Sequence, residues 1–300
     1  MSRWSRLLVF ITVVPCLLGA WSVQAAQPLV IRYFQTDVRY AYRIALMRLA
    51  LRETRDSDGA FSLQGMTRTV SQARGLRMLA KNEIDVAFLP TDRQREKHFL
   101  PVRIPILRGL LGYRVLMIRR GSGDRFADIE TLRKLSTFKA GFGSQWADLA
   151  ILKANGLPVV SMSNYETLFL MLARGRFDYF PRGVNEAWQE LDMHPKLRSR
   201  LMIEPHLALY YPYPVYFFVN RNNAALADRL RRGLEAALKD GSFKQLFLSY
   251  NKAAIERAQM RHRTMLVMSN PFLPPQTSPV DTQWWMPARS RESEIHRALR

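Results

Sequence analysis

Met78-Leu-Ala-Lys-Asn-Glu-Ile-Asp85-Val86 and Met171-Leu-Ala-Arg-Gly-Arg-Phe-Asp178-Tyr179 are one pattern written twice, 93 positions apart. Each copy reads as the end of an amphipathic helix, a tight polar turn and the start of a buried strand. Leu76 and Leu79 in the first copy, and Leu168, Met171 and Leu172 in the second, supply the helical apolar spacing. Gly175 suits the left-handed conformation that closes a helix, and asparagine, here Asn82, is the next best residue for it. Ile84 to Leu89 and Phe177 to Phe180 then bring branched and aromatic strand formers. Both strands run into proline and arginine, as Pro90-Thr-Asp-Arg93 and Pro181-Arg182. In an open α/β sheet, ligands collect outside the carboxyl ends of the strands. Two such cationic loops facing one another would make a cleft.

Outward from these units the α/β pattern continues. Pro28 to Phe34 and Phe61 to Met66 read as strands, and Val38 to Arg52 and Val70 to Lys81 as helices. With the strand of the first copy this is β-α-β-α-β, an order that implies a parallel sheet with right-handed crossovers. Gly109 to Ile118 is a long apolar strand, and Leu207 to Val219 is a second such stretch. Between them, Thr137 to Phe142 leads through Gly143-Ser-Gln-Trp146 into a helix from about Ala147 to Ala154, and a helix over Val184 to Leu191 follows the second copy. Ala224 to Lys239 is a strongly amphipathic helix ended by Asp240-Gly241, and Phe243 to Tyr250 is a shorter one. After Arg263 the composition becomes that of a loop, with Asn270-Pro-Phe-Leu-Pro-Pro275. Trp284 and Trp285 are costly to leave in water, so this segment reads as a tail that wraps the surface and anchors by them.

The first 25 residues read as an export signal: Arg3 and Arg6, an apolar run from Leu7 to Ala20 too short for a membrane span, and Val23-Gln-Ala25 as a cleavage site. Cys16 is the one cysteine, and cleavage after Ala25 leaves no thiol. That excludes disulfides, cysteine nucleophiles and cysteine metal sites from the mature chain. Lys and Arg number 45 against 25 Asp and Glu, a formal charge of +20. Such a balance implies an anionic partner or a solvated basic surface. The export signal argues against nucleic acid.

The order of these parts resembles the type II periplasmic solute-binding proteins, most closely the group associated with polar amino-acid uptake. The resemblance implies a two-lobed α/β fold, each lobe a mostly parallel sheet flanked by helices, with two crossing strands as a hinge. It places one lobe at 26–112 plus 217–262, the other at 117–208, the hinge at 113–116 and 209–216, and a wrapping tail at 263–300. In that family a Thr-x-x-Arg element after the third strand binds the ligand carboxylate. The matching region here is Thr91-Asp-Arg93-Gln-Arg95-Glu96, with Gln94 at the expected position and Arg93 and Arg95 flanking it. A guanidinium grips a carboxylate with two parallel hydrogen bonds, so either arginine fits the role. A glycine-hydroxyl turn at a helix start serves the family's second lobe, and Gly141-Phe-Gly143-Ser144 matches it in kind, with Trp146 beside it. Where the family has an acid for the ligand's amino group, this sequence has Arg182 or Gly183; Glu186 and Glu190 are the nearby acids. Tyr33 and Tyr113 complete the candidate ligand-binding set.

The resemblance implies a monomer that takes a small amino-acid-like ligand without a cofactor, and the departure at Arg182, with Arg93 or Arg95 and the turn at Ser144, points to an anionic one. It would serve a membrane permease or, alternatively, a receptor. The five histidines are scattered without metal spacing, and neither a Gly-x-Ser-x-Gly elbow nor a phosphate loop is present, so no enzyme chemistry is expected.

Overall fold

The computed structural model describes residues 27–277 and 279–280. The expected export signal, Cys16 and the two tail tryptophans lie outside the described residues. The chain opens with β1 (Leu29–Tyr33), α1 (Ala41–Glu53), the single turn α2 (Arg55–Asp58), β2 (Phe61–Gly65), α3 (Gln72–Ala80) and β3 (Val86–Pro90). β1 and β2 pair in parallel, from Leu29 opposite Phe61 to Tyr33 opposite Gly65. β3 lies beside β1 without a regular ladder. The Asp85 N–H donates to Arg32 O at 2.8 Å, and the Gln35 side-chain amide bridges Phe88 N and O at 2.9 and 2.7 Å. A side-chain amide thus stands where a peptide group would satisfy buried β3.

After α4 (Arg93–His98) and β4 (Phe99–Val102) the chain enters a second sheet as β5 (Tyr113–Arg119). There α5 (Leu132–Leu135), β6 (Ala140–Gly143), α6 (Asp148–Ala154), β7 (Val159–Met162), α7 (Tyr165–Ala173), β8 (Tyr179–Gly183), α8 (Ala187–Met193) and β9 (Leu201–Tyr210) follow. β10 (Val215–Asn220) returns to lie between β3 and β4, antiparallel to both. The second apolar stretch therefore divides at Tyr211-Pro-Tyr-Pro214, where two residues without an N–H cannot continue a ladder. α9 (Ala224–Lys239), α10 (Ser242–Ala258) and β11 (Thr264–Val267) end the described elements. The second sheet runs β11-β9-β5-β8-β6-β7. Its βαβ pairs are parallel, whereas β5 runs antiparallel to both β8 and β9.

Both quoted copies close in the same way. The Glu83 N–H donates to Met78 O and Asn82 N–H to Leu79 O; Arg176 N–H donates to Met171 O and Gly175 N–H to Leu172 O. Asn82 sits at φ 58° and Gly175 at φ 72°, the left-handed residues of two paired-bond helix caps. Each strand aspartate then grips the neighbouring strand: Asp85 accepts from Arg32 N–H at 2.7 Å and Asp178 from Lys139 N–H at 2.9 Å.

Two segments differ from the sequence expectation. α10 continues to Ala258 rather than ending near Tyr250, because Asn251 returns its amide to Phe247 O at 2.8 Å and Lys252 to Ala258 are mostly good helix formers. The first residues past Arg263, expected as tail, form β11 in parallel register with β9. Arg263 clasps this passage, donating to Ala258 O at 2.6 Å and Leu207 O at 3.0 Å. No helix among the described residues is long and apolar enough to cross a membrane.

Candidate functional site

The strand ends and helix starts converge on a cavity of about 80 Å³ lined by Arg39, Arg43, Arg95, Arg114 and Arg182, with Asp148 and Glu186 as the two lining acids. Arg39, Arg43 and Arg95 come from the side of the first strands. The other four come from the six-stranded sheet and its helices.

Arg182 closes β8 and is 3% exposed. Its Nε donates to Glu190 Oε2 at 2.6 Å and its Nη2 to Glu186 Oε2 at 3.1 Å. The guanidinium lies 4.6 Å from the Trp146 ring centroid, and that indole stacks on Phe180 at 6.1 Å and 8°. Burial opposes the Arg182 charge, but Glu190 and Glu186 outweigh it and hold its pKa well above the ordinary value. Arg114, inside the apolar β5, donates to Asp148 Oδ2 at 2.8 Å, the atom that also accepts from the Tyr211 hydroxyl at 2.8 Å. Its Nη1 lies 3.7 Å from Glu186.

Arg39 and Arg43 cross the cavity from the other side. Arg39 pairs with Asp37 at 2.9 Å, covers the Tyr165 ring at 4.4 Å and stands 3.9 Å from Glu190. Arg43 is 4% exposed, has Glu186 at 3.9 Å as its acid, and packs on Tyr40 at 4.9 Å. Burial pulls the Arg43 pKa down, with only partial compensation from Tyr40 and Glu186. Glu186 shows the opposite balance. Burial pushes its carboxyl up, but Arg182, Arg114, Arg43 and Arg39 together hold it down at about 2.

The structure brings together three of the eight candidates at this cavity: Arg95, Trp146 and Arg182. Arg95 is buried and turned back on its own loop, donating to Pro90 O and lying 3.3 Å from Asp92. Arg93 is exposed and lines a neighbouring cavity of 310 Å³ with Thr91 and Phe272. Its N–H donates to Phe272 O at 3.0 Å, so tail residues cross this loop. Thr91 gives its hydroxyl to Glu96 at 2.6 Å. Ser144 is exposed and stands clear of the helix start, since α6 begins at Asp148 with Ala147 as an N-cap lacking a side-chain bond. The glycines before it serve packing instead: a Cβ on Gly141 would meet Phe177 at 2.1 Å, and one on Gly143 would meet Trp146 at 2.5 Å. Tyr33 is buried against Phe88, and Tyr113 against Tyr210, both away from this cavity.

Sequence reasoning passed over Arg39, Arg43, Arg114 and Asp148. Arg43 precedes Leu46, Met47 and Ala50 by three, four and seven positions, so it lies on the buried stripe of α1. Arg114 is the one charge inside a long apolar strand that Arg119 ends. A cation placed where an apolar residue belongs is the signal in both cases.

No family model and no curated protein matches this sequence. Solved structures do. An amino acid ABC transporter substrate-binding protein, AbpA from Streptococcus pneumoniae, bound to L-arginine, is 14% identical; the match covers 76% of this chain and 95% of that one, with a TM-score of 0.56. The BvgS periplasmic VFT2 domain of Bordetella pertussis is 16% identical over 74% of this chain and 92% of that one, at 0.54. The chain has the type II periplasmic binding fold. An ArgBP from T. maritima, in mutant form, gives the same likeness, 16% identical over 74% and 94% with a TM-score of 0.55. By their names these neighbours are binding proteins and a VFT2 domain.

Proposed function

We propose that this chain is an exported solute-binding protein that closes two lobes around a small anionic or amino-acid-like solute and delivers it, as a monomer, to an ABC transporter. One observation carries the reading: five arginines from both sides line a single cavity whose lining holds two acids, with Asp37, Asp92 and Glu190 pairing with Arg39, Arg95 and Arg182 behind it. A cavity so built is costly to keep dry and empty, and favours an incoming negative group. The strand-end loops occupy the place where open α/β sheets take ligands. Closure would rotate the lobes about the passages at 113–116 and 209–216, where a few residues can absorb the change.

A second reading is favoured by the likeness to the BvgS VFT2 domain: the same cleft reports its state to a membrane receptor. Both readings share the ligand. Native mass spectrometry of protein purified without denaturation is expected to show a small anionic adduct. Small-angle scattering is expected to show compaction when that compound is added. A cationic adduct would overturn the anionic assignment. Scattering that stays unchanged with every bound compound would overturn closure.

A further inference from the structure

The neighbouring cavity of 310 Å³ differs in kind from the arginine cavity. Ala147, Ala150, Ile151, Tyr213 and Phe272 give it apolar walls, and Arg93 is the one cation in its lining. These walls come from the start of α4, from α6, from the passage between β9 and β10, and from the segment after β11. Ala147 and Tyr213 line both cavities, so the two lie side by side. The last wall is tied down along its length. Met268 N–H donates to Tyr210 O at 2.7 Å, and Ser269 exchanges two bonds with the Asn155 side chain at 2.8 and 3.0 Å. Asn270 Nδ2 donates to Pro212 O at 2.8 Å, and Phe272 O accepts from Arg93 N–H at 3.0 Å. Held in this way, Phe272 stays 38% exposed, an apolar ring that gains from being covered. Asp92, the one acid in the lining, is engaged by Arg95: its Oδ1 accepts from Arg95 N–H at 2.7 Å and its Oδ2 lies 3.3 Å from Arg95 Nη1. Arg93 is exposed, and its guanidinium has no hydrogen bond or ion pair among the described residues.

We infer that this cavity is a second small-molecule site, for an aromatic acid whose apolar body packs against Ile151, Tyr213 and Phe272 and whose carboxylate meets Arg93. The site goes beyond the solute-binding reading above and does not need it, since the arginine cavity keeps a ligand of its own. Size sets the scale. Ligand pockets begin at about 300 Å³. A cavity of roughly 150 Å³ already takes a benzene. The 310 Å³ here therefore suits a body of one or two rings. Tyr213 and Phe272 among the walls favour an aromatic body, through ring-to-ring contact as well as area covered. The guanidinium of Arg93 selects the charge, because it can grip a carboxylate with two parallel hydrogen bonds. A small polar dicarboxylate would lose water against these walls without a partner for its second charge.

Calorimetric titration of the full mature chain with indoleacetate tests this, with the neutral indoleacetamide, the cationic tryptamine and the dicarboxylate succinate beside it. Indoleacetate is expected to bind about tenfold tighter than the amide, and tryptamine more weakly than either. Succinate is expected not to displace it. Arg93→Gln is expected to bring indoleacetate down to the level of the amide and to leave the amide unchanged. Ala150→Phe, which fills the cavity, is expected to abolish binding of both, and the surface control Arg232→Ala to alter neither. Arg93 and Ala150 are both exposed, so these variants are expected to melt like the native chain. In methyl NMR the Ile151 signal, identified by its loss in Ile151→Val, is expected to shift when indoleacetate is added, because an aromatic ring comes to lie beside it. Indoleacetate that binds no tighter than the amide, or that binds Arg93→Gln like the control, overturns the inference. So does an Ile151 signal unmoved by bound indoleacetate, displacement by succinate, or a chain that binds none of the aromatic compounds. Each of these leaves the solute-binding reading standing, since that reading fails on its own adduct and scattering results.

Discussion

The two helix–turn–strand copies fold alike up to the strand end and then send their cations to different places. In each, a left-handed residue closes the helix and a strand aspartate accepts a backbone N–H from the neighbouring strand. Past β3, Asp92 caps α4 at once, and Arg95 on that first turn folds back onto Pro90 O. Past β8, Val184 to Glu186 intervene before α8, and Arg182 on the strand itself reaches Glu186 and Glu190. One arginine is satisfied within its own loop, and the other becomes the centre of a buried ion cluster. A shared motif fixes where the strand ends. The few residues that follow fix what the cation meets.

The largest test of that difference is truncation of the two arginines. Arg182→Ala leaves Glu190, 0% exposed, and Glu186 without their main partner. It is expected to cost about 3–5 kcal/mol in urea unfolding. Arg95→Ala loses only loop contacts and is expected to cost about 1–2 kcal/mol. Equal losses would break the contrast. Acid unfolding sharpens it further. The folded pKa of Glu186, about 2, lies below its ordinary 4.5. Its contribution is therefore full above about pH 4.5 and lost as pH falls toward about 2, on the order of 2–3 kcal/mol. Glu186→Gln is expected to flatten that limb of the stability–pH curve, and an unchanged limb would place the titration on another group.

Smaller effects compare the shared parts. Asp85 holds Arg32 through its N–H, Nε and Nη2, whereas Asp178 has the Lys139 N–H and Arg125. Asp85→Ala is expected to cost about 2 kcal/mol and Asp178→Ala about 1 kcal/mol by thermal melting. Equality would mean that the half-exposed Arg32 guanidinium adds nothing, as surface pairs often do. At the turns, Gly175→Ala is expected to cost about 1–2 kcal/mol, and Asn82→Gly to be neutral or stabilising by less than about 1 kcal/mol. A destabilised Asn82→Gly would show that the asparagine side chain contributes to its turn.

The repeated turn was legible because it rests on local rules, left-handed backbone at Asn82 and Gly175 and apolar spacing before them. The same local rules placed α9 at its observed bounds. The site was less so, because cavity residues are gathered by tertiary packing. Arg43 shares the buried stripe of α1, but only the tertiary fold brings Glu186 and Tyr40 to enclose it. Ser144 looked like a helix start until Gly143 was needed for the Trp146 ring. Leu207 to Val219 read as one apolar stretch, and only the pairing of β10 with β3 and β4 shows that the chain changes sheets at its prolines.

The clasp at Arg263 has a mechanical consequence. α10 packs with α1 and α9 beside the first strands, and β11 belongs to the other sheet, so residues 259–263 make a third link between the two bodies. Two links define an axis and leave rotation about it free. In the proposed closure, a third link would work as a check-strap that sets the stroke. Five residues can extend to at most about 18 Å, and the short helical turn at Met260–His262 holds part of that length in reserve. In that closure, opening would be expected to end when the turn is drawn straight, beyond which the Arg263 bonds or the edge of the sheet would have to give way.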